Sequence, residues 1–261
     1  MDNKTDLQDV TFLFRLKVDS IERLENILMV IDFISHHFDT NIYVLEAANY
    51  NNSIVRKLLP QKVSYHFVED YDPILHQTKY INKAVENCRT PYLAVWDTDV
   101  IIDPGQIMMS VEWLRQDEAD FVSPYKDKAL DTTHIIRELY FKTRDLRILK
   151  DNKGKMKELY APNPVGGGFF ANRDKYVQSG IENEYFYGWG RADGERINRW
   201  KILGHRYKRV SGPLFHLTHG RGISSKFHSP RQDDIKFSEV LRIYTMSKGE
   251  LEEEVKTWGD N

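Results

Sequence analysis

A single cysteine, Cys88, stands among 261 residues. Alone it can neither close an intrachain disulfide nor build a thiolate metal site, so the staples of small secreted domains are missing and a reducing, cytoplasmic setting is expected. The segment Met1 to Asp6 has neither the basic nor the apolar stretch of a signal peptide, and no apolar run approaches the roughly 20 residues of a membrane span. An integral membrane segment is therefore not expected, which leaves only peripheral contact with a membrane open. Net charge is also lacking. The 37 Lys and Arg against 39 Asp and Glu leave −2, so no overall field draws the chain to nucleic acid. No Gly-x-Gly-x-x-Gly follows the first strand candidate, and no Gly-x-x-x-x-Gly-Lys-Ser/Thr occurs. Ordinary dehydrogenases and P-loop enzymes are thereby set aside.

What is plentiful is aromatic: 14 Tyr, 13 Phe and 5 Trp, too many for a disordered chain. Val10 to Phe14 reads as a strand, followed by Asp19 and Ser20 as caps and by Ile21, Leu24, Ile27, Leu28, Ile31 and Ile34 at helical spacing. The alternation repeats with strands at Asn41 to Leu45 and Val63 to Val68, and helices near Ser53 to Leu59 and Ile74 to Cys88. Such alternation predicts an α/β fold with a mostly parallel twisted sheet flanked by helices. After Tyr125 a polar, helical stretch runs to Leu149, and a strand is expected over Tyr207 to Phe215. With no linker or repeat, residues 1–261 read as one domain: a first half at about 8–125, a second at about 126–230, and a charged surface helix and tail at 231–261.

Five constellations could carry chemistry. Asp97-Thr98-Asp99 ends the apolar run Tyr92 to Trp96, at the carboxyl end of a buried strand, where open α/β sheets place ligands. Two carboxylates so spaced can hold a hard divalent cation that bridges a diphosphate. A second Asp-x-Asp, Asp70-Tyr71-Asp72, lacks the buried strand. His216 and His219 offer imidazoles suited to Mn²⁺ or a similar ion. In an extended strand they would face opposite sides, so both converge only if a turn follows Phe215. Gly166-Gly167-Gly168 lets backbone approach a ligand closely. In Tyr185-Phe186-Tyr187-Gly188-Trp189-Gly190-Arg191-Ala192-Asp193-Gly194-Glu195, rings beside carboxylates suit sugars, whose C–H faces stack while their hydroxyls bond to acids.

Taken in order from Val10 to Gly222, these segments resemble metal-dependent inverting glycosyltransferases of the GT-A fold. The first half is similar to family-2 glycosyltransferases, and the block from Gly166 through Gly188-Trp189-Gly190 and Asp193 resembles the β-1,4-galactosyltransferase and chondroitin-polymerase group. The resemblance implies a catalytic base at Asp193 and a metal, Mn²⁺ or another divalent cation such as Mg²⁺, at Asp97, Asp99, His216 and His219. It further implies a UDP-sugar donor, of Gal or GalNAc type, at Arg15, Glu46, Lys79, Asn82, Asp97, Gly167, Gly168 and Trp189. A saccharide or glycan-lipid acceptor is implied at Tyr187, Trp189 and Asp193, in bacterial polysaccharide or glycan synthesis. The chain departs from the group at Ala192, where Glu is usual. Gly220 to Lys226 is expected to close over the donor, with Arg221 and Lys226 facing phosphate. Two other readings are a non-catalytic nucleotide-sugar or glycan-binding module and a sugar nucleotidyltransferase. The second lacks support in Leu16 to Ser20, which is not the Gly- and Arg-rich loop it needs.

Overall fold

A computed structural model describes residues 4–226 and 229–259; Met1 to Asn3, within the segment read above for targeting, and the last two residues of the expected tail lie outside the described residues. β1 (Thr5–Leu16) sends Val10, Phe12 and Phe14 to one hydrophobic cluster and Leu13 to another, all buried, as befits a central strand covered on both faces. Ser20 caps α1 (Ile21–His37), its hydroxyl accepting from the Arg23 N–H at 3.3 Å. The alternation continues through β2 (Phe38–Ala48), α2 (Ile54–Leu58), β3 (Ser64–Glu69), α3 (Gln77–Glu86), β4 (Tyr92–Trp96), β5 (Val100–Ile102) and α4 (Pro104–Arg115). Then come β6 (Phe121–Ser123), β7 (Ala129–Asp131), α5 (His134–Thr143), α6 (Leu146–Asp151), β8 (Lys157–Leu159), β9 (Gly168–Asn172) and α7 (Arg173–Gln178). Last are α8 (Ala192–Ile202), β10 (Tyr207–Arg209), β11 (Leu214–His216), α9 (Pro230–Tyr244) and α10 (Lys248–Glu254).

Seven strands form the main sheet in the order β10-β6-β9-β4-β1-β2-β3. β1 pairs in parallel with β2 and β4, β2 with β3, and β6 with β10, whereas β9 lies antiparallel between β4 and β6. This is the mostly parallel, helix-flanked α/β sheet that the alternation predicts. A smaller sheet, β5-β11-β7-β8, was not expected. The main chain passes from the large sheet to the small one through Asp97-Thr98-Asp99, between β4 and β5.

Three segments differ from their reading. Tyr207 to Phe215 is not one strand: Gly212, at φ +127°, breaks it, so β10 joins the large sheet and β11 the small. The stretch from Tyr125 to Leu149 is not wholly helical, because β7 precedes α5 and pairs with β11 and β8. The last 30 residues are more than a surface helix and tail. Ile243, Leu251 and Val255 bury themselves with Leu203 in a core of their own, docking α9 and α10 onto the end of α8.

Candidate active site

The two sheets meet at the Asp-x-Asp corner. β5 pairs antiparallel with β11 so that Val100 faces His216, and the chain leaving β11 turns at once: the Leu217 N–H donates to the Asp99 carbonyl at 2.7 Å. This is the turn that convergence of the two histidines requires. Donor atoms of Asp99, His216 and His219 lie within 4.8 Å of one another. His216 Nε2 stands 3.6 Å from Asp99 Oδ1, and His219 Nε2 stands 3.1 Å from Oδ2. Each ring is fixed through its other nitrogen, His216 Nδ1 donating to Asp131 Oδ1 at 2.8 Å and His219 Nδ1 to the Gly220 carbonyl at 2.7 Å. Burial by itself would raise the Asp99 carboxyl, but the two imidazoles outweigh it and hold it far below the usual range. The same contacts, with Asp131, raise His216 against its own burial. A carboxylate faced by two imidazoles calls for positive charge between them, supplied by protons or by a divalent cation. Two imidazoles and one carboxylate also suit a transition-metal ion.

Asp97 does not belong to this group. Its carboxylate is paired with Arg15 of β1, whose guanidinium also donates to the Trp96 carbonyl at 2.9 Å and to Gln77 Oε1 at 3.0 Å. Burial pushes the Asp97 carboxyl up, against the pull of Arg15, and the nearby carboxylates of Asp99 and Asp193 push it further. Opposite, the Asp97 N–H donates to the Gly167 carbonyl at 3.0 Å. Gly166 and Gly167 have φ of +91° and +78°, and side chains there would meet the Asp193 Oδ2 at 2.6 Å and the Leu214 side chain at 2.4 Å. The glycines thus let this turn lie between the acidic corner and α8.

Asp193 sits in the first turn of α8, and its Oδ1 accepts from Arg196 at 2.8 Å. Arg196, buried, forks onto Glu182 with contacts of 2.5 and 2.7 Å and lies over the Phe169 ring at 4.7 Å. Burial disfavours its charge, but Glu182 and Asp193 more than compensate and hold its pKa far above normal. One turn on, Arg199 pairs with Glu195 at 2.7 Å and donates to the Ile181 carbonyl at 3.0 Å. One buried ion pair, Arg196 with Glu182, and the Arg199 bond to the Ile181 carbonyl therefore tie α8 to the loop after α7.

Asp97, Asp99, Asp193, His216 and His219 line one cavity of about 450 Å³, together with Arg15, Gly167, Gly168 and Trp189. Tyr160 lies 6.2 Å from Trp189, ring to ring, and Arg221 donates to the Tyr160 hydroxyl at 3.0 Å while reaching over both rings. Gly222 lies against Asp19, and Ser225 accepts from Arg23, so the loop after β11 rests on the start of α1. Lys226 is exposed.

Four expected donor or acceptor residues are not among those lining the cavity. Glu46 is buried at the end of β2, raised by that burial although the Tyr65 hydroxyl donates to it at 2.6 Å. Lys79 is exposed on α3. Asn82 staples the loop after α7, exchanging bonds with the Glu182 backbone at 3.0 and 2.9 Å. Tyr187 donates to Asp72 at 2.7 Å, and Asp70 accepts from Tyr80 at 2.7 Å, so the second Asp-x-Asp binds phenols. Sequence reasoning missed Gln77, Asp131, Tyr160 and Arg196. An acid at the end of an unrecognised three-residue strand, as Asp131 is, leaves no periodic signal.

No protein-family model matches the chain, nor does any curated protein sequence. Solved structures do. The catalytic domain of Drosophila β1,4-galactosyltransferase 7, in complex with xylobiose, matches with a TM-score of 0.55 at 14% identity, over 89% of this chain and 79% of that one. Glucosyl-3-phosphoglycerate synthase from Mycobacterium tuberculosis, in complex with Mn²⁺, UDP and phosphoglyceric acid, gives 0.55 and 14%, over 91% and 78%. The fold is GT-A-like. In this GT-A-like chain the acidic corner, the histidine turn and the start of α8 converge from three distant parts of the sequence. No helix among the described residues is long and apolar enough to cross a membrane.

Proposed function

We propose that the chain is a metal-dependent, inverting glycosyltransferase that moves a hexose, of Gal or GalNAc type, from a UDP-sugar to a hydroxyl of a saccharide or glycan-lipid acceptor. One observation carries this reading: the Asp99, His216 and His219 group opens on the same cavity as Asp193 and Trp189. The donor set fits a divalent ion, held by Asp99, His216 and His219. Mn²⁺ or Mg²⁺ there would supply the charge that a departing diphosphate needs.

The chain's own groups do the rest. Arg196 holds Asp193 through Oδ1, which leaves Oδ2, beside the side-chain-free Gly166, to take the proton of an acceptor hydroxyl as it attacks the anomeric carbon. A single displacement of this kind inverts the anomeric centre. Trp189 and Tyr160 offer faces to sugar C–H groups, and Arg221 brings a cation to the donor side of the mouth. Arg15, itself held by Gln77, pairs with Asp97 at the wall of the same cavity.

A second reading, a nucleotide-sugar-binding module without transfer, is favoured by Ala192, which removes a carboxylate from beside Asp193. Incubation with Mn²⁺, a panel of UDP-sugars and saccharide acceptors separates the two. Transfer predicts acceptor-dependent release of UDP from at least one donor. UDP-sugar binding without release, with every acceptor, would favour the module.

A further inference from the structure

The turn that carries the two histidines is gripped by side chains with no contact to the cavity. Between His216 and Thr218 four backbone groups find partners on other elements. The Leu217 N–H reaches the Asp99 carbonyl, and the His216 carbonyl accepts from the Thr132 N–H at 2.9 Å. The Thr218 N–H donates to Thr132 Oγ1 at 3.0 Å, and the Leu217 carbonyl accepts from Asn26 Nδ2 at 2.8 Å. Asn26 lies on α1 and is wholly buried. Its own oxygen accepts from Arg137 Nε at 3.0 Å, and Arg137, buried on α5, goes on to Glu25 at 2.7 Å and stacks over Phe141 at 4.1 Å. The next residue back along the chain from Thr132, Asp131, holds the His216 ring.

A buried amide and guanidinium are a poor way to stabilise a core, since apolar side chains of similar size do as well or better. Here the Asn26 amide donates to one carbonyl, that of the residue next to His216, and Arg137 holds that amide while its other donors tie α5 to Glu22 and Glu25 of α1. We infer that Asn26, with Arg137 behind it, and Asp131 are positioning residues that preset His216 and His219 for a divalent cation before any nucleotide arrives. Asn26 fixes the turn, and Asp131 fixes the ring and its tautomer, leaving Nε2 free to ligate. The inference rests on the metal-site reading above.

The test measures Mn²⁺ affinity of the full chain without nucleotide, by electron paramagnetic resonance of free Mn²⁺. Asn26→Asp keeps the volume and the bond from Arg137 but loses the donor to Leu217. Asp131→Asn, at a half-buried site, keeps an acceptor for His216 but loses its charge. Each variant is expected to bind Mn²⁺ about 10- to 100-fold more weakly, with circular dichroism like that of the wild type and, for Asp131→Asn, a metal-free unfolding midpoint like it as well. Histidine ¹⁵N spectra of metal-free Asp131→Asn, recorded at a pH where the ring is neutral, should show His216 redistributed between its two tautomers relative to the wild type, which a merely structural role would not produce. Wild-type affinity in both folded variants would overturn the inference while leaving the metal site standing. Should Asn26→Asp fail to fold, unchanged affinity and an unchanged His216 spectrum in Asp131→Asn overturn it alone. No Mn²⁺ binding by the wild type would overturn both the inference and the reading beneath it.

Discussion

Gly166→Ala probes how closely the backbone approaches the proposed base. A Cβ at position 166 would lie 2.6 Å from Asp193 Oδ2, where ordinary contact begins at 3.4 Å, so the carboxylate must retreat by about 0.8 Å, the difference of the two. Asp193 can move, being at the free end of a half-exposed side chain, but its 2.8 Å bond from Arg196 resists. Misplacing a reacting group by about 1 Å lowers a rate on the order of 100-fold, or about 2.7 kcal/mol in the barrier. The fold suffers less. Alanine at φ +91° is strained by about 1–2 kcal/mol, which in a chain of this size moves the unfolding midpoint by about 2–4 °C per kcal/mol. The assay is steady-state UDP release at saturating donor, beside a thermal melt. A folded variant with wild-type kcat would refute the reasoning, as would activity that falls only in step with the folded fraction.

Arg196→Met leaves Glu182 as an unpaired carboxylate in a nearly solvent-free site, and should lower stability by about 3–5 kcal/mol in urea titration. Adding Glu182→Gln should recover part of that loss, and no recovery would count against the pair. His76 is half-buried between Tyr187 and the Glu184 carbonyl, and burial lowers its pKa below the ordinary 6.5. A depressed folded value means that the unfolded chain binds the proton more readily. The stability His76 contributes is present above pH 6.5 and lost as pH falls through that value toward the folded one. The unfolding midpoint of the wild type should therefore drop relative to that of His76→Gln between pH 8 and pH 5.5, and a constant difference would contradict the assignment.

Much of this was legible in the residues. The β-α alternation through Trp96 follows from buried runs and helical spacing, and the acidic corner was placed correctly at a strand's end because a short apolar run stops at two aspartates. In the sequence the histidine turn is a condition and not a fact, since only the pairing of Val100 with His216 brings it to Asp99. Less visible were features that depend on three-residue strands. β7 is too short for a period of two to register, and β11 is merged in the reading with the longer strand expected over Tyr207 to Phe215, so the small sheet, and with it Asp131, has no signal of its own. Buried charge leaves no sequence signal either. Glu182 and Arg196 are each buried against a partner that only the tertiary fold supplies, and Arg199, although it pairs with Glu195 on its own helix, is buried against the loop carbonyl of Ile181. The same holds for Asn26 and Arg137, polar positions on helix faces that otherwise meet the core.

In the proposed reaction Asp193 takes the acceptor proton while the Asp99, His216 and His219 corner serves the donor. Asp193→Asn keeps size and shape and removes the base. Measured with Mn²⁺ and the donor the wild type uses, it should bind UDP-sugar with wild-type affinity and transfer at a rate lower by about 10²- to 10⁴-fold. Transfer at the wild-type rate, or a loss matched by lost donor binding, would contradict the account.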